Sequence, residues 1–428
     1  LATLGSGGSG GLEASSVLIG ENLGAWYYRL RSNRPSVRFE DLPRRKTRPW
    51  DAPNPDYLQT AQLSGIAAAV TVLLGAPLAA AFFASEVMYR NRPLLEKLFY
   101  SLIAALTAQV MSSFVAGASP MMFGVEKVIY PPFGNMRYWL GVVLMGVVLA
   151  FVGQLYRILN VQFHAWFQEA IKNRFLRLLV GFGMTGVIAL VVYYLTRWFG
   201  ITDRGLELVL GSGESMVISA FAGQLSLSVA LIGLVAKMLA TLSTIKSGGS
   251  AGLLVPSMFF GTMVAVSLAQ LFQFEPVLFI APALTGSLIA IVNTPFAALI
   301  FVVEEFGAEY LLPALVLLII TGLLSNPKSI YRAQQAAADS IELLPGYDIQ
   351  AISVPAAWVG RTLRDLNLQD QFEVQVVGLL DRSAGNEQPG VLFDSQLTAG
   401  TTLEAEDTIL VYGEEVKLDA LETATTQQ

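Results

Sequence analysis

The sequence predicts an all-α polytopic membrane protein of tilted, broken helices, followed by a small cytosolic α+β domain. Three observations predict it. First, 54% of the 428 residues are hydrophobic and only 14% are charged, against about 25% charged in an ordinary soluble domain. Second, the apolar runs that would cross a bilayer are often interrupted by Gly or Pro, as at "LLGAPLAA" (73–80) and "IVNTPFAA" (291–298). Short, interrupted membrane helices are typical of transporters whose helix ends line a site at the midplane. Third, residues 344–428 hold four Lys/Arg against fourteen Asp/Glu, a net of −10, which leaves +4 for the rest of the chain. An apolar body over 1–340 therefore precedes an acidic tail domain over 345–420, with the boundary at 341–346.

The apolar segments run over 14–29, 59–88, 98–116, 138–159, 175–199, 206–223, 227–245, 252–272, 277–303 and 311–325. The chain does not begin with Met and no basic n-region precedes its first apolar run, so it reads as the interior of a longer protein and not as a signal peptide. Basic loops at 29–48, 89–93 and 164–177 are predicted to be cytoplasmic by the positive-inside rule. The nearly uncharged 118–135 is predicted to be external. A lipid-headgroup patch is the other reading of 29–48, and it would also be cytoplasmic.

An internal echo runs through the body. "APLAAAFFASE" (76–86) matches "TPFAALIFVVE" (294–304) at an offset of 218 residues, pairing Pro77 with Pro295, Phe83 with Phe301 and Glu86 with Glu304. More loosely, "SGGLEASSVLIG" (9–20) matches "SGGSAGLLVPSMFFG" (247–261), each a Ser-Gly-Gly loop entering an apolar helix. Two pairs in the same order point to a duplicated membrane fold.

The stretch "GSGGSGGLEASSVLIGENLG" (5–24) carries the strongest candidate site. A glycine loop entering a helix leaves free backbone N–H groups where the helix dipole favours an anion. Glu13 sits at that point, so its carboxylate would compete with an anion when ionised and withdraw when protonated. A helix-capping carboxylate beside a glycine linker is the competing reading. Zero cysteines and a single histidine, His164, exclude thiolate and His-paired metal sites. No His-Glu-x-x-His or Gly-x-Ser-x-Gly occurs, which puts an intramembrane enzyme last. No cofactor, catalytic residue or nucleic-acid partner is expected.

Residues 5–335 resemble the membrane domain of the CLC chloride channels and proton-coupled chloride transporters. "GLEASSVLIGENLG" (11–24) resembles that family's Gly-Lys/Arg-Glu-Gly-Pro signature, and "KSGGSAGLLVPSMFFGTMVA" (246–265) its Gly-x-Phe-x-Pro signature. "SGIAAAVTVLLGAPLAAAFFASE" (64–86), "PALTGSLIAIVNTPFAALIFVVEEFG" (282–307) and "NPKSIYRAQQ" (326–335) resemble three further segments in the same order. The resemblance implies a homodimer in a plasma or inner membrane that moves chloride or another small anion. It places Glu13 as the gating glutamate. Gly10, Gly11, Gly252, Leu253 and Leu254 would bind the anion, and Tyr331 would close the inner end of its path. Leu12, Ala14, Ser15 and Leu254 depart from the signatures, and the family's first anion loop lies upstream of this sequence. The family's inner proton-relay acid falls on Val87, with Glu86 one place earlier, about 100° away on a helix. That predicts transport uncoupled or weakly coupled to protons, leaning to a channel, with a proton-coupled antiporter as the alternative. Glu86 is expected at a solvated helix terminus, Glu304 and Glu305 packed or paired at theirs.

In the tail, 372–380, 390–394 and 407–413 read as short strands and 359–368 as a short helix. "VPAAWVGRTLRDLNL" (354–368), "VQVVGLLDR" (374–382) and "TLEAEDTILVYGE" (402–414) resemble the C-terminal subdomain of RCK-type domains, which implies a dimerising regulatory module able to bind a small ligand. Because that module is common on cation systems, a cation transporter is the competing function. A cation site wants carbonyls at helix C-termini, whereas these glycine loops precede helix N-termini.

Overall fold

A computed structural model describes residues 2–32, 55–90, 95–116, 129–325 and 335–336, apart from residue 6, together with Phe123 and parts of 347–421. Tyr331 lies outside the described residues. Leu1–Gln335 and Ala336–Gln428 form separate units.

In the first unit the apolar runs become helices. After the single turn α1 (Ala2–Gly5) come α2 (Glu13–Ser32), α3 (Pro55–Leu74), α4 (Pro77–Met88) and α5 (Leu95–Ala116). Next are α6 (Met136–Ala170), α7 (Arg174–Trp198), α8 (Glu214–Phe221) and α9 (Leu227–Lys246). The series ends with α10 (Leu254–Phe272), α11 (Pro276–Ser287), α12 (Pro295–Phe306) and α13 (Leu311–Leu324). Among the described residues six of these are long and apolar enough to cross a membrane, while Pro77–Val87, Pro276–Val292 and Ala308–Leu324 are apolar but shorter.

The duplicated segments take equivalent places. α3 packs on α2, α4 and α5, and α11 packs on α10, α12 and α13. Each repeat breaks in the same way. Gly75, with φ 73°, separates α3 from α4; Asn293, with φ 62°, separates the π-helical end of α11 (Leu288–Val292) from α12. A left-handed residue ends a helix without steric cost only as Gly or, less readily, Asn. Pro77 and Pro295 then restart the chain at the first helical position, where the missing N–H would have been unpaired anyway. α4 and α12 pack side by side.

Small residues bring α2 and α3 together. Gly20 and Gly24, one turn apart, lie against Gly65 and Ala61, and a Cβ at Gly20, Gly24 or Gly65 would overlap the facing carbonyl. Such close backbone approach is a main source of helix association in a membrane, where the hydrophobic effect between helices is absent. Gln62 also donates to Glu21 across this interface at 3.1 Å. The centre of the unit is α10 and α11: Leu254–Val266 and Val277–Val292 are buried throughout.

One apolar run is interrupted, and one expectation fails. The apolar run 206–223 is helical only over Glu214–Phe221, because Gly211 and Gly213 adopt left-handed φ of 67° and 88° and interrupt it. Glu86 is no solvated terminus; it is 4% exposed.

Among its described residues the second unit has a sheet of four antiparallel strands, β1 (Tyr347–Ser353), β2 (Gln375–Asp381), β3 (Gly390–Phe393) and β4 (Thr408–Glu414), in the order β1-β4-β2-β3. The short helices α14 (Leu363–Leu366) and α15 (Leu368–Phe372) join β1 to β2. Trp358, Leu366, Leu379, Leu403, Ile409 and Val411 are among its core side chains. β1 was not foreseen from the sequence.

Candidate functional site

Three glycine-bearing loops meet where α2, α8 and α10 begin. Gly11 and Gly252 exchange both backbone hydrogen bonds, at 2.9 Å each. On its other side the same loop pairs with a third: the Gly10 amide donates to the Gly211 carbonyl and the Gly211 amide to the Gly8 carbonyl, both at 3.0 Å. Gly10 has φ 152°, and a Cβ there would run into Ala251. Ser9, fully buried, fixes this loop to α9: its amide donates to Thr244 Oγ1 at 3.0 Å, and its hydroxyl lies 3.1 Å from Thr241 Oγ1.

Glu13 is the first residue of α2 and is 5% exposed. Its carboxylate folds back between the paired glycines, filling the space that a Cβ on Gly11 or Gly252 would need. Oε1 accepts from the Val255 amide at 3.2 Å. Oε2 has no hydrogen-bond partner. A carboxylate thus rests at the positive end of the 19-residue α10, with acceptor capacity to spare.

The residues named from the sequence fall as follows. Glu13, Gly10, Gly11, Gly252, Leu253 and Leu254 come together; Leu253 is the N-cap of α10 and supplies no side-chain bond. Val87 is half-buried in the last turn of α4, apart from that cluster. Glu86 accepts from the Phe296 and Ala297 amides at 3.0 and 2.9 Å, at the start of α12. Glu304 accepts from the Leu78 and Ala79 amides at 3.1 and 2.9 Å, at the start of α4.

The sequence reading missed Val255, Ser9, Thr241, Gly211 and Lys237. Lys237 carried a signal, an ionisable side chain in the middle of an apolar helix. A cleft of about 620 Å³ opens beside Gly211, bounded by Leu206, Glu207, Ser212 and Glu214. Glu207 on its wall accepts from the Ser215 hydroxyl and from the Arg204 guanidinium. The Arg204 bond, foremost, holds the Glu207 carboxyl below the usual carboxylate range. Among the described residues no group of three acidic or histidine side chains could hold a metal ion.

An inverted repeat of broken helices with glycine loops converging on a buried carboxylate defines a multi-pass membrane protein. The sequence profile of the voltage gated chloride channel family matches residues 1–326, and the chain belongs to that family. It is 24% identical over 275 residues to the chloride/fluoride channel protein of Pseudomonas syringae pv. tomato, covering 64% of this chain and 57% of that one. It is 24% identical over 317 residues to the H(+)/Cl(−) exchange transporter ClcA of Klebsiella pneumoniae subsp. pneumoniae, covering 71% and 59%. The chain thus spans under two thirds of the length of these relatives. Among solved structures, a CLC-type fluoride/proton antiporter superposes with a TM-score of 0.59 at 23% identity, covering 77% of this chain and 74% of that one. A slow cyanobacterial Cl−/H+ antiporter superposes with a TM-score of 0.58 at 18% identity, covering 75% and 69%. These likenesses show the fold.

Proposed function

We propose that the protein carries chloride or a similar small anion across a membrane along a path closed by Glu13. One observation carries this reading: the Glu13 carboxylate occupies the start of α10 between two paired glycine loops, with one oxygen unpartnered. Amides that hold a carboxylate can hold a halide, so the two compete for one place. Gly10, Gly11, Gly252, Leu253 and Leu254 would contribute backbone to the anion, and Tyr331 its hydroxyl at the inner end. The cleft beside Gly211 would be the outer mouth, since α7 runs away from the basic 164–177 loop.

Val87 leaves the last turn of α4 without an acid at that position, which favours movement weakly coupled or uncoupled to protons. Proton exchange is the second reading, favoured by relatives described as exchangers. Two copies in a plasma or inner membrane, and a cytoplasmic RCK-type tail over 345–420 that binds a small ligand, complete the proposal. The test is flux from liposomes holding the full-length protein, with chloride, fluoride and potassium compared and pH recorded. Anion flux with little proton movement is expected. Potassium flux would sink the anion reading, and proton uptake at a fixed ratio to chloride would establish exchange.

A further inference from the structure

Lys237 lies midway along α9 and is completely buried. Its Nζ is 3.2 Å from the carbonyl oxygens of Val209 and Leu210 and 2.6 Å from that of Gly211. Three acceptors around one nitrogen match the three N–H donors of the ammonium, one more than the neutral amine has. The Phe259 ring of α10 lies 5.7 Å from the same nitrogen, close enough for a cation–π contact. Gly213 makes room for this arrangement: a Cβ there would meet the Phe259 ring and the Lys237 stem.

The carbonyls satisfy the donors of Lys237 but do not cancel its charge. Among the described residues no carboxylate pairs with it. A buried, uncompensated cation in a membrane is costly unless it serves a function. Its strongest partner is also a partner of the site: the Gly211 carbonyl accepts from Lys237 and from the Gly10 amide. Gly10 precedes Gly11, which pairs with Gly252 under the Glu13 carboxylate. A single chain of hydrogen bonds therefore joins the ammonium to the loop that bears the gate.

We propose that Lys237 is a positioning residue of the anion path, holding the 209–211 turn against Gly10 and supplying the fixed positive charge that an anion beside Gly11 and Gly252 answers. This rests on the transport reading given above. In the Glu13-occupied state the carboxylate is that anion; when it leaves, a halide takes its part.

The test uses the full-length protein, with chloride binding measured by calorimetry and chloride flux measured against concentration. Lys237→Met should weaken chloride binding and raise the half-saturating concentration about tenfold or more, as expected for loss of a nearby unit charge at intermediate dielectric. Maximal flux should change far less. Lys237→Arg, which keeps the charge, should restore both to within about threefold. A monodisperse Lys237→Met protein with wild-type affinity and half-saturation overturns the inference while leaving the transport reading intact. Where Lys237→Met does not fold, Lys237→Arg decides, and a tenfold loss of affinity in that variant overturns the inference. Wild-type protein that neither binds nor carries chloride overturns both.

Discussion

Glu86 and Glu304 cap each other's helices. Each carboxylate, near the C-terminal end of its own helix, accepts two amides at the N-terminus of the other, all between 2.9 and 3.1 Å. The two helices therefore run antiparallel, and the pair repeats the 218-residue offset of the sequence echo. A charged acceptor on two amides at a helix start is worth more than a neutral one. Glu86→Ala leaves two amides unsatisfied and should cost about 1–3 kcal/mol, read as a lower unfolding temperature in detergent. Glu304→Ala should behave alike. Should Glu86→Ala abolish proton movement without lowering that temperature, Glu86 is a relay group and its capping is incidental.

Glu13→Gln should flatten the pH dependence of anion flux. Glutamine has the size of the protonated acid and cannot ionise, so the competition at the start of α10 is fixed in one state. Wild-type flux should rise as the pH falls and the carboxylate takes up a proton. If the variant titrates like the wild type, another group closes the path.

Gly65→Ala should be poorly tolerated. Its Cβ would collide with the Gly20 carbonyl, and overpacking of this kind costs about 1–3 kcal/mol. Gly183→Ala on α7 is the control, since nothing lies within 4 Å of a Cβ there. Size-exclusion profiles and melting curves of the two variants should differ, and equal behaviour would mean that α2 and α3 can slide apart without penalty.

In the second unit Thr362 and Asp365 form a capping box at the start of α14. The Thr362 hydroxyl, then its amide, hold the Asp365 carboxyl below the usual carboxylate range. A depressed folded-state value means that this contribution is complete above the unfolded value of about 3.9. It is lost as the pH falls through the folded one. Asp365→Asn should therefore narrow the gap between the tail's stability at pH 6 and at pH 3. A gap as wide as in the wild type would assign acid sensitivity to other carboxylates.

Much of this was legible in advance, for local reasons. A left-handed Gly or Asn two places before a proline announces each helix break, so Gly75 and Asn293 could be read from their neighbours. The place of Glu13 at the start of α2 was legible because the glycine run and the apolar helix after it are adjacent in the sequence. What the sequence hid depends on distant pairing. Lys237 finds its acceptors 26 to 28 residues earlier, in a loop with no counterpart in the echo. Glu86 stands beside a basic stretch that suggests solvent, and only the packing of α4 on α12 removes it from water. β1 carries polar residues at Asp348 and Gln350, which masked its pairing with β4.

The glycine loops around Glu13 have a consequence for how such a protein can drift and be engineered. Their walls are peptide groups, and peptide groups are shared by all amino acids. Replacing Leu12 or Leu254 alters side chains that leave the backbone bridge of Gly11 and Gly252 in place. On the transport reading proposed above, mutation therefore has few handles on ion preference at this point: the glycines, where a side chain would meet Glu13 or Ala251, and Glu13 itself. On that reading a directed-evolution library seeking a new ion should instead vary the positions that fix the 8–11 loop to α9, Ser9, Thr241 and Thr244.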